Sequence, residues 1–285
     1  MSLIAEAPRI RQRTIAHRTH GRRNGPAVRL MSPSDLGQFL KPFVFLDFFD
    51  MQGPPFVGPL HPHSGIATLS FLIDGRMDLI DPDGNTVVLP SGGIEWMQAG
   101  KGMWHGGSVG DPNHGRVRGF QLWVALPPNL ELGPTVAAFL STGDILSAGP
   151  ARVLLGSYGN AQSAIPAPSP MNFLAVTLRT GQRWTYQPPP EHTVMWAAPI
   201  EGQLFANGVP VHPEELVAFE HSHGAVDFEA RTGTQFVLGS AVPHDYPLSL
   251  GDYSVHTSPS ALRIGEEHID TIGRRLLAEG RIGKH

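Results

Sequence analysis

The sequence predicts an all-β protein of two similar small barrels or sandwiches, followed by one C-terminal helix. Three observations predict it. Gly and Pro number 33 and 27 in 285 residues, and so many chain breakers disfavour long helices and favour short strands joined by turns. Short apolar and β-branched runs bounded by turn formers recur along the chain. One segment also repeats. FLIDGRMDLIDPDGNTVVLPSGGIEWM (71–97) lies over APIEGQLFANGVPVHPEELVAFEH (198–221). Asp74-Gly75 then meets Glu201-Gly202, and Leu89-Pro90 falls near His212-Pro213. Each copy reads strand, turn glycine, hairpin, proline turn, strand.

The elements follow in order. The basic N-terminus carries Arg9, Arg11, Arg13, Arg18, Arg22 and Arg23. Its partial alternation reads as an exposed edge strand whose charges block further pairing. FVFLDFF (43–49) makes a buried strand, and a Pro/Gly-rich loop follows. IATLSFLI and MDLIDPDGNTVVL supply three strands, the last two joined at DPDGN. Asp78, Asp81 and Asp83 there are turn formers, with no closing glutamate to make a calcium loop. GIEWMQ and GFQLWVAL are two further strands, and the stretch from about residue 128 reads as a linker with weak helical character. Strands resume at ARVLLGSYG, NFLAVTL, TVMWAAPI, GQLFA, ELVAFE and TQFVLG. Ile269, Ile272 and Leu276 at i, i+3, i+7, the pair Asp270/Arg274 and the stop at Gly280 mark a helix packed by its apolar stripe onto a barrel. The domains read as 1–130 and 131–285, the second including the helix.

Several function classes lack support. A net charge of −4 gives no global pull toward nucleic acid. No apolar run approaches the 18 residues or so of a membrane span, and no leader pattern is visible, so the expected location is the cytoplasm. There is no Cys, so a transition metal would rest on His, Asp or Glu. No nucleophile elbow, P-loop or dinucleotide fingerprint occurs.

The histidines carry the chemistry. His61 and His63 stand at i and i+2, so on a strand they share a face. His105 ends AGKGMWH after two intervening strands. Imidazole nitrogens bind a transition ion at roughly 2.0–2.1 Å, so the pair and a third ring from another strand can share one.

FLDFFD (45–50), HPHSGIATLSFLIDG (61–75), EWMQAGKGMWH (95–105) and GFQLWVAL (119–126) together resemble the pirin family of the cupin superfamily. The resemblance covers about residues 7–283 and is stronger in the N-terminal half. It implies a bicupin, two β-barrels face to face, with one metal ion in the first. In the family that ion is usually iron, held by three histidines and a glutamate. Some members resemble quercetin 2,3-dioxygenases and cleave flavonols, and the animal protein is described as a nuclear transcription co-regulator.

Carried over by position, His61, His63 and His105 match the ligand histidines. The ligand glutamate falls on Gly107, a second motif glutamate on Ala67 and the motif arginine on Ser64. The resemblance thus implies a three-histidine site without a carboxylate, less suited to iron and relatively more tolerant of zinc, nickel or copper. Ser64, Ala67 and Gly107 would widen the pocket, with Met97, Met103 and Trp104 along its wall or in plain core packing. On this reading Gly107→Glu restores the missing ligand. Glu95 stands where the family usually has glutamine; its side of the strand is open between the cavity and solvent, with a solvent-facing strand residue the favoured reading. In the second barrel the pair falls on Pro188 and Pro190, so no metal is expected there. His221 and His223 read as surface residues, and His244, Asp252, Tyr253 and His256 as structural hydrogen-bonding groups. Two functional readings stay open: a metal-dependent dioxygenase acting on a small phenolic compound, and a non-enzymatic regulator that binds a small molecule or a protein partner. A structural metal site is a third. Neither nucleic acid nor a membrane is an expected partner.

Overall fold

The computed structural model describes residues 12–53, 56–80, 84–109 and 115–283. Arg9, Arg11, Asp81 and Asp83 lie outside the described residues. The first part of the chain runs β1 (Ile15–Thr19), β2 (Arg22–Asn24), β3 (Ala27–Met31), α1 (Leu36–Leu40), β4 (Phe43–Gln52), β5 (Phe56–His63) and β6 (Ile66–Asp74). It continues through β7 (Arg76–Ile80), β8 (Thr86–Pro90), β9 (Ile94–Gln98), β10 (Met103–Val109), β11 (Arg116–Ala125) and β12 (Val136–Leu140). A seven-stranded antiparallel sheet, β12-β9-β6-β11-β4-β3-β2, faces a four-stranded one, β5-β10-β7-β8. Together they form the first barrel.

The second barrel repeats the plan. Its larger sheet is centred on Val194–Glu201, Thr234–Ala241 and Met171–Leu178, and its smaller one pairs Arg183–Tyr186, Val226–Ala230, Leu204–Ala206 and Val209–Val211. This is the bicupin architecture. The internal repeat is visible in the backbone. β6 to β9 correspond to Val194–Glu201, Leu204–Ala206, Val209–Val211 and Leu216–Phe219. Gly75 and Gly202 hold the same turn, at φ +94° and +87°. A Cβ at either would lie 2.5 or 2.4 Å from a carbonyl oxygen of the neighbouring strand, so only glycine serves there.

The two larger sheets pack on each other. Phe48, Leu69, Phe71, Trp96, Phe120 and Leu122 meet Phe173, Val194, Trp196 and Val237 in one continuous core. Strands alternate faces, so their other faces line the lumens. The second lumen is filled by side chains, among them Tyr186, Phe219, Phe228 and Phe236. The first keeps a cavity, described below.

Two expectations need correction first. The stretch 136–140 is not helical: it is β12, paired along β9 from Val136↔Gln98 to Leu140↔Ile94. Its Val-Ala-Ala-Phe-Leu sequence fits either state, and the free edge of β9 decides. The basic N-terminus does form an edge strand, since β1 pairs only with Leu216–Phe219. Arg13, however, is 1% exposed and donates to the carbonyls of Gly224, Thr193 and His192 at 2.7, 2.7 and 2.6 Å. Burial lowers its pKa to about 10, which still leaves it charged. Arg18 pairs with Glu215 at 2.7 Å.

The terminal helix is α2 (Pro259–Ala278), capped where Ser258 Oγ accepts from the Ala261 amide. Its buried stripe is Ala261, Gly265, Ile269, Gly273 and Leu276, so Gly273 takes the stripe position expected of Ile272, which is half-buried. The small residues allow close approach to the first barrel. Trp104 of β10 packs at Gly273, where a Cβ would sit 2.8 Å from its ring, and its indole N–H donates to the Ile269 carbonyl at 2.9 Å. The ends of the chain therefore cross the boundary read at residue 130: β1 joins the second barrel's sheet and α2 packs on the first barrel. Among the described residues no helix is long and apolar enough to cross a membrane.

The shared core sets the first test. Trp96 is 1% exposed between the barrels, and removing a buried Trp side chain costs about 3–5 kcal/mol. Trp96→Ala is expected to lower the urea midpoint by a corresponding amount, read by circular dichroism.

Candidate metal centre

β5 and β10 pair antiparallel, with His61 opposite His105 and His63 opposite Met103. His63 follows His61 by two residues on the same strand, so all three rings meet on one face. Ring centroids lie 4.9 Å apart for His61–His63, 4.6 Å for His61–His105 and 5.1 Å for His63–His105. One nitrogen from each lies within 4.8 Å of the other two.

Two rings are oriented from behind. His61 Nδ1 stands 3.1 Å from the Pro59 carbonyl, and His63 Nδ1 stands 3.2 Å from the Tyr253 carbonyl. Each Nδ1–H donates, which fixes the tautomer and leaves Nε2 with its lone pair free. Burial, reinforced by the neighbouring His105, pushes His61 down to about 4 and His63 well below the usual histidine value. Both rings are therefore neutral at pH 7, the form that binds metal. His105 is 6% exposed, and neither of its ring nitrogens has a hydrogen-bond partner. Buried polar nitrogens rarely go unpaired. An ion shared by the three rings would satisfy one of them, so the residues fit a metal.

The rings line a cavity of about 280 Å³. Phe45 and Trp123 stack at 4.3 Å and 13°, and the edge of Trp123 meets His63 at 5.0 Å. Met77 and Leu79 add apolar wall, and Tyr253 stands among the lining residues at 46% exposure.

The cavity also holds a carboxylate. Glu95 is 1% exposed and lines this space, which corrects its reading as solvent-facing. β9 is buried on both faces: Ile94 and Trp96 enter the core between the barrels, so Glu95 turns to the lumen. Its Oε2 accepts from Ser70 Oγ at 2.7 Å. Its Oε1 has no hydrogen-bond partner and lies 3.7 Å from His105 Nδ1. Glu95 stays outside the three-nitrogen cluster, but the site is not free of acid.

The expected pocket residues divide. Gly107 lines the cavity, whereas Ser64, Ala67, Met97 and Met103 do not. Ser64 is fully buried; its Oγ donates to Ser254 Oγ at 2.9 Å and lies 3.0 Å from His256 Nε2. Ala67 belongs to the core between the barrels. Met97 and Met103 pack with Ala99 and Phe139. Tyr253 is the converse case: beyond its carbonyl's structural bond, its side chain borders the cavity. His256 joins Glu131 at 3.0 Å in a buried network. His221 and His223 are exposed and bond to the Phe39 and Pro190 carbonyls.

Residues 26–124 match the pirin family model. Over that stretch the chain is similar to the pirin family. A pirin-like protein of Caulobacter vibrioides is 42% identical over 114 residues, 38% of this chain and 41% of that protein. The chain thus matches about two-fifths of the length of the first curated relatives. A solved quercetin 2,3-dioxygenase of Acinetobacter baumannii superposes with a TM-score of 0.80 at 23% identity, covering 93% of this chain and 98% of that one. A bacterial pirin of Escherichia coli, solved in complex with nickel(II), superposes at 0.64 and 16% identity, covering 78% of this chain and 94% of the other. At these identities the structural likeness concerns the fold. The chain is thus similar in part to pirin-like proteins and putative quercetin 2,3-dioxygenases, and it carries a histidine cluster able to bind metal.

Gly107 is more than a missing glutamate. Its φ is +155°, and an added Cβ would lie 2.4 Å from the Asp78 carbonyl oxygen of β7. β10 bulges between His105 and Gly107, which presses this backbone against β7. A glutamate cannot be restored there without moving a strand, which corrects the expectation for Gly107→Glu. Gly107→Ala is expected to destabilise the protein by more than about 1 kcal/mol, and Gly107→Glu by at least as much with no gain in metal content. Thermal denaturation and elemental analysis check both.

Acid sensitivity follows from two histidines outside the cluster. Burial lowers His192 and His244 to about 4, with Arg13 adding to the effect at His192 and Lys41 at His244. An unfolded histidine titrates near 6.5. The unfolded chain therefore takes up protons first, and the stability these groups contribute is complete above pH 6.5. It is lost as pH falls toward 4. The urea midpoint of metal-free protein is expected to hold from pH 8 to 7 and to fall between pH 6.5 and 4.

Proposed function

We propose that this chain binds one divalent metal ion on His61, His63 and His105 and acts on a small phenolic substrate as a flavonol-type dioxygenase. The observation that supports it is His105, a buried imidazole with no partner for either nitrogen, beside two rings already locked in the ligating tautomer. Three imidazoles without thiolate suit iron, nickel, copper or zinc, and the family resemblance favours iron. When bound, such an ion polarises a phenolic oxygen and orients the substrate against dioxygen.

The chain's own residues shape the rest. The Phe45–Trp123 stack offers an aromatic wall beside His63, to which a flat ring can pack. Met77 and Leu79 contribute apolar lining and Ser70 and Gln121 polar lining. Tyr253 at 46% exposure stands where a substrate would enter. At about 280 Å³ the cavity matches the lower end of small-ligand sites, about 300–1,000 Å³. A compact phenol fits this better than a long or branched one.

One feature favours the rival reading of a binding protein: the cluster itself contains three imidazoles and no carboxylate. Two measurements separate the readings. Protein purified without added ions is expected to carry close to one metal per chain by elemental analysis, with His105→Ala losing it and His223→Ala keeping it. Oxygen uptake with quercetin on iron-, nickel- and copper-loaded protein is expected to depend on His105 in the same way. Bound metal with no uptake on any phenolic substrate would support the binding protein.

A further inference from the structure

We propose that Glu95 is the hydrogen-bond partner of His105 Nδ1 in the metal-loaded protein, so that β9 supplies the site's acidic group from behind a ligand. The inference rests on the three-histidine site proposed above and adds a positioning residue to it.

The argument begins with the three rings compared side by side. His61 has an oxygen behind Nδ1, from Pro59, at 3.1 Å. His63 has one from Tyr253 at 3.2 Å. His105 has no carbonyl there, and the oxygen in the corresponding place is Glu95 Oε1 at 3.7 Å. That separation is too long for a hydrogen bond, and both atoms are otherwise unpartnered and buried. A modest side-chain turn closes the gap. Pairing His105 Nδ1–H with Oε1 leaves Nε2 for the ion. All three rings then present the same tautomer, each held by an oxygen.

The carboxylate is held for this task. Ser70 Oγ, itself 2% exposed, reaches Glu95 Oε2 at 2.7 Å and Gln121 Oε1 at 2.9 Å. One hydroxyl has one proton, so these contacts cannot both be donations. With the Gln121 amide turned, its N–H₂ donates to Ser70, and Ser70 donates to Glu95. Gln121, Ser70 and Glu95 then form a directed chain ending on His105. A buried carboxylate is costly unless paired. An ion on Nε2 would bring positive charge beside the carboxylate and so offset that cost. A carboxylate behind a ligating histidine raises ligand basicity and fixes ring orientation.

The arrangement differs chemically from a ligating glutamate. The acid offsets part of the ion's charge without occupying a coordination position.

The test is Glu95→Gln, which keeps the shape and removes the charge. Nickel affinity, measured by competition with a chromophoric chelator, is expected to fall about 10- to 100-fold, as for other partners of ligating histidines. Copper(II)-loaded protein gives a second readout. Electron spin echo envelope modulation detects the remote Nδ1 of each coordinated imidazole, and its quadrupole coupling reports the hydrogen bond there. One of the three remote nitrogens is expected to shift in Glu95→Gln while the copper hyperfine splitting stays put. A changed hyperfine splitting would make Glu95 a ligand and overturn the proposal. Unchanged affinity and unchanged modulation would overturn it too, with the three-histidine site intact. A wild-type protein that binds neither ion would instead remove the reading on which it rests. An unshifted melting temperature of the metal-free variant separates these effects from misfolding.

Discussion

The register between β5 and β10 is the constraint on which the site depends. His61 lies directly opposite His105, and the two-residue period of a strand brings His63 onto the same face. A slip of one residue would send His61 and His63 to the opposite face of their sheet. The bulge after His105 belongs to the same device. It lets β10 pair with β5 on one side and with β7 on the other, at Gly107↔Leu79, while the ring of His105 stays over the cavity. Glycine at 107 is what this crowded crossing requires.

The second organising fact is that the larger sheet has no solvent face along its central strands. One side is the core shared with the second barrel and the other is the lumen. Residues on that side of β4, β6, β9 and β11 supply part of the cavity wall: Phe45, Ser70, Glu95, and Gln121 with Trp123. This explains how a charged residue comes to be buried at a strand centre. In an isolated barrel the polar member of the alternation would face water. Here it faces the histidines.

Much of this was legible locally and some was not. Strand positions follow from short-range alternation, and the paired turns at Gly75 and Gly202 follow from the repeat, because both are set by residues near in sequence. The histidine triad was legible because a strand period and a glycine-flanked third ring are local signals. Glu95 was misread because its orientation depends on the second barrel covering the other face of β9, a contact between distant segments. Tyr253 was underrated for the same reason. It lies 190 residues from His63, on a segment anchored through Ser254 to Ser64 and through His256 to Glu131. Arg13 shows the general case: a charge in a basic run reads as exposed until three carbonyls from another strand's end close around it.

The exchange of chain ends ties these observations together. β1 completes the second barrel's larger sheet, and the segment before α2 closes over the first barrel and holds His63 through the Tyr253 carbonyl. The second barrel's lumen is packed with aromatic side chains. Its contribution to the site is mechanical: it buries one face of β9 and β11, and the chain leaving it returns with the oxygen that orients a ligand ring. A site with one histidine set by its own strand, one by the C-terminal segment and one facing a carboxylate from the shared sheet is assembled only when both barrels and both ends are in place. Separating the barrels would remove the orienting contact of His63 and expose the far face of β9, even though all three histidines lie between residues 61 and 105.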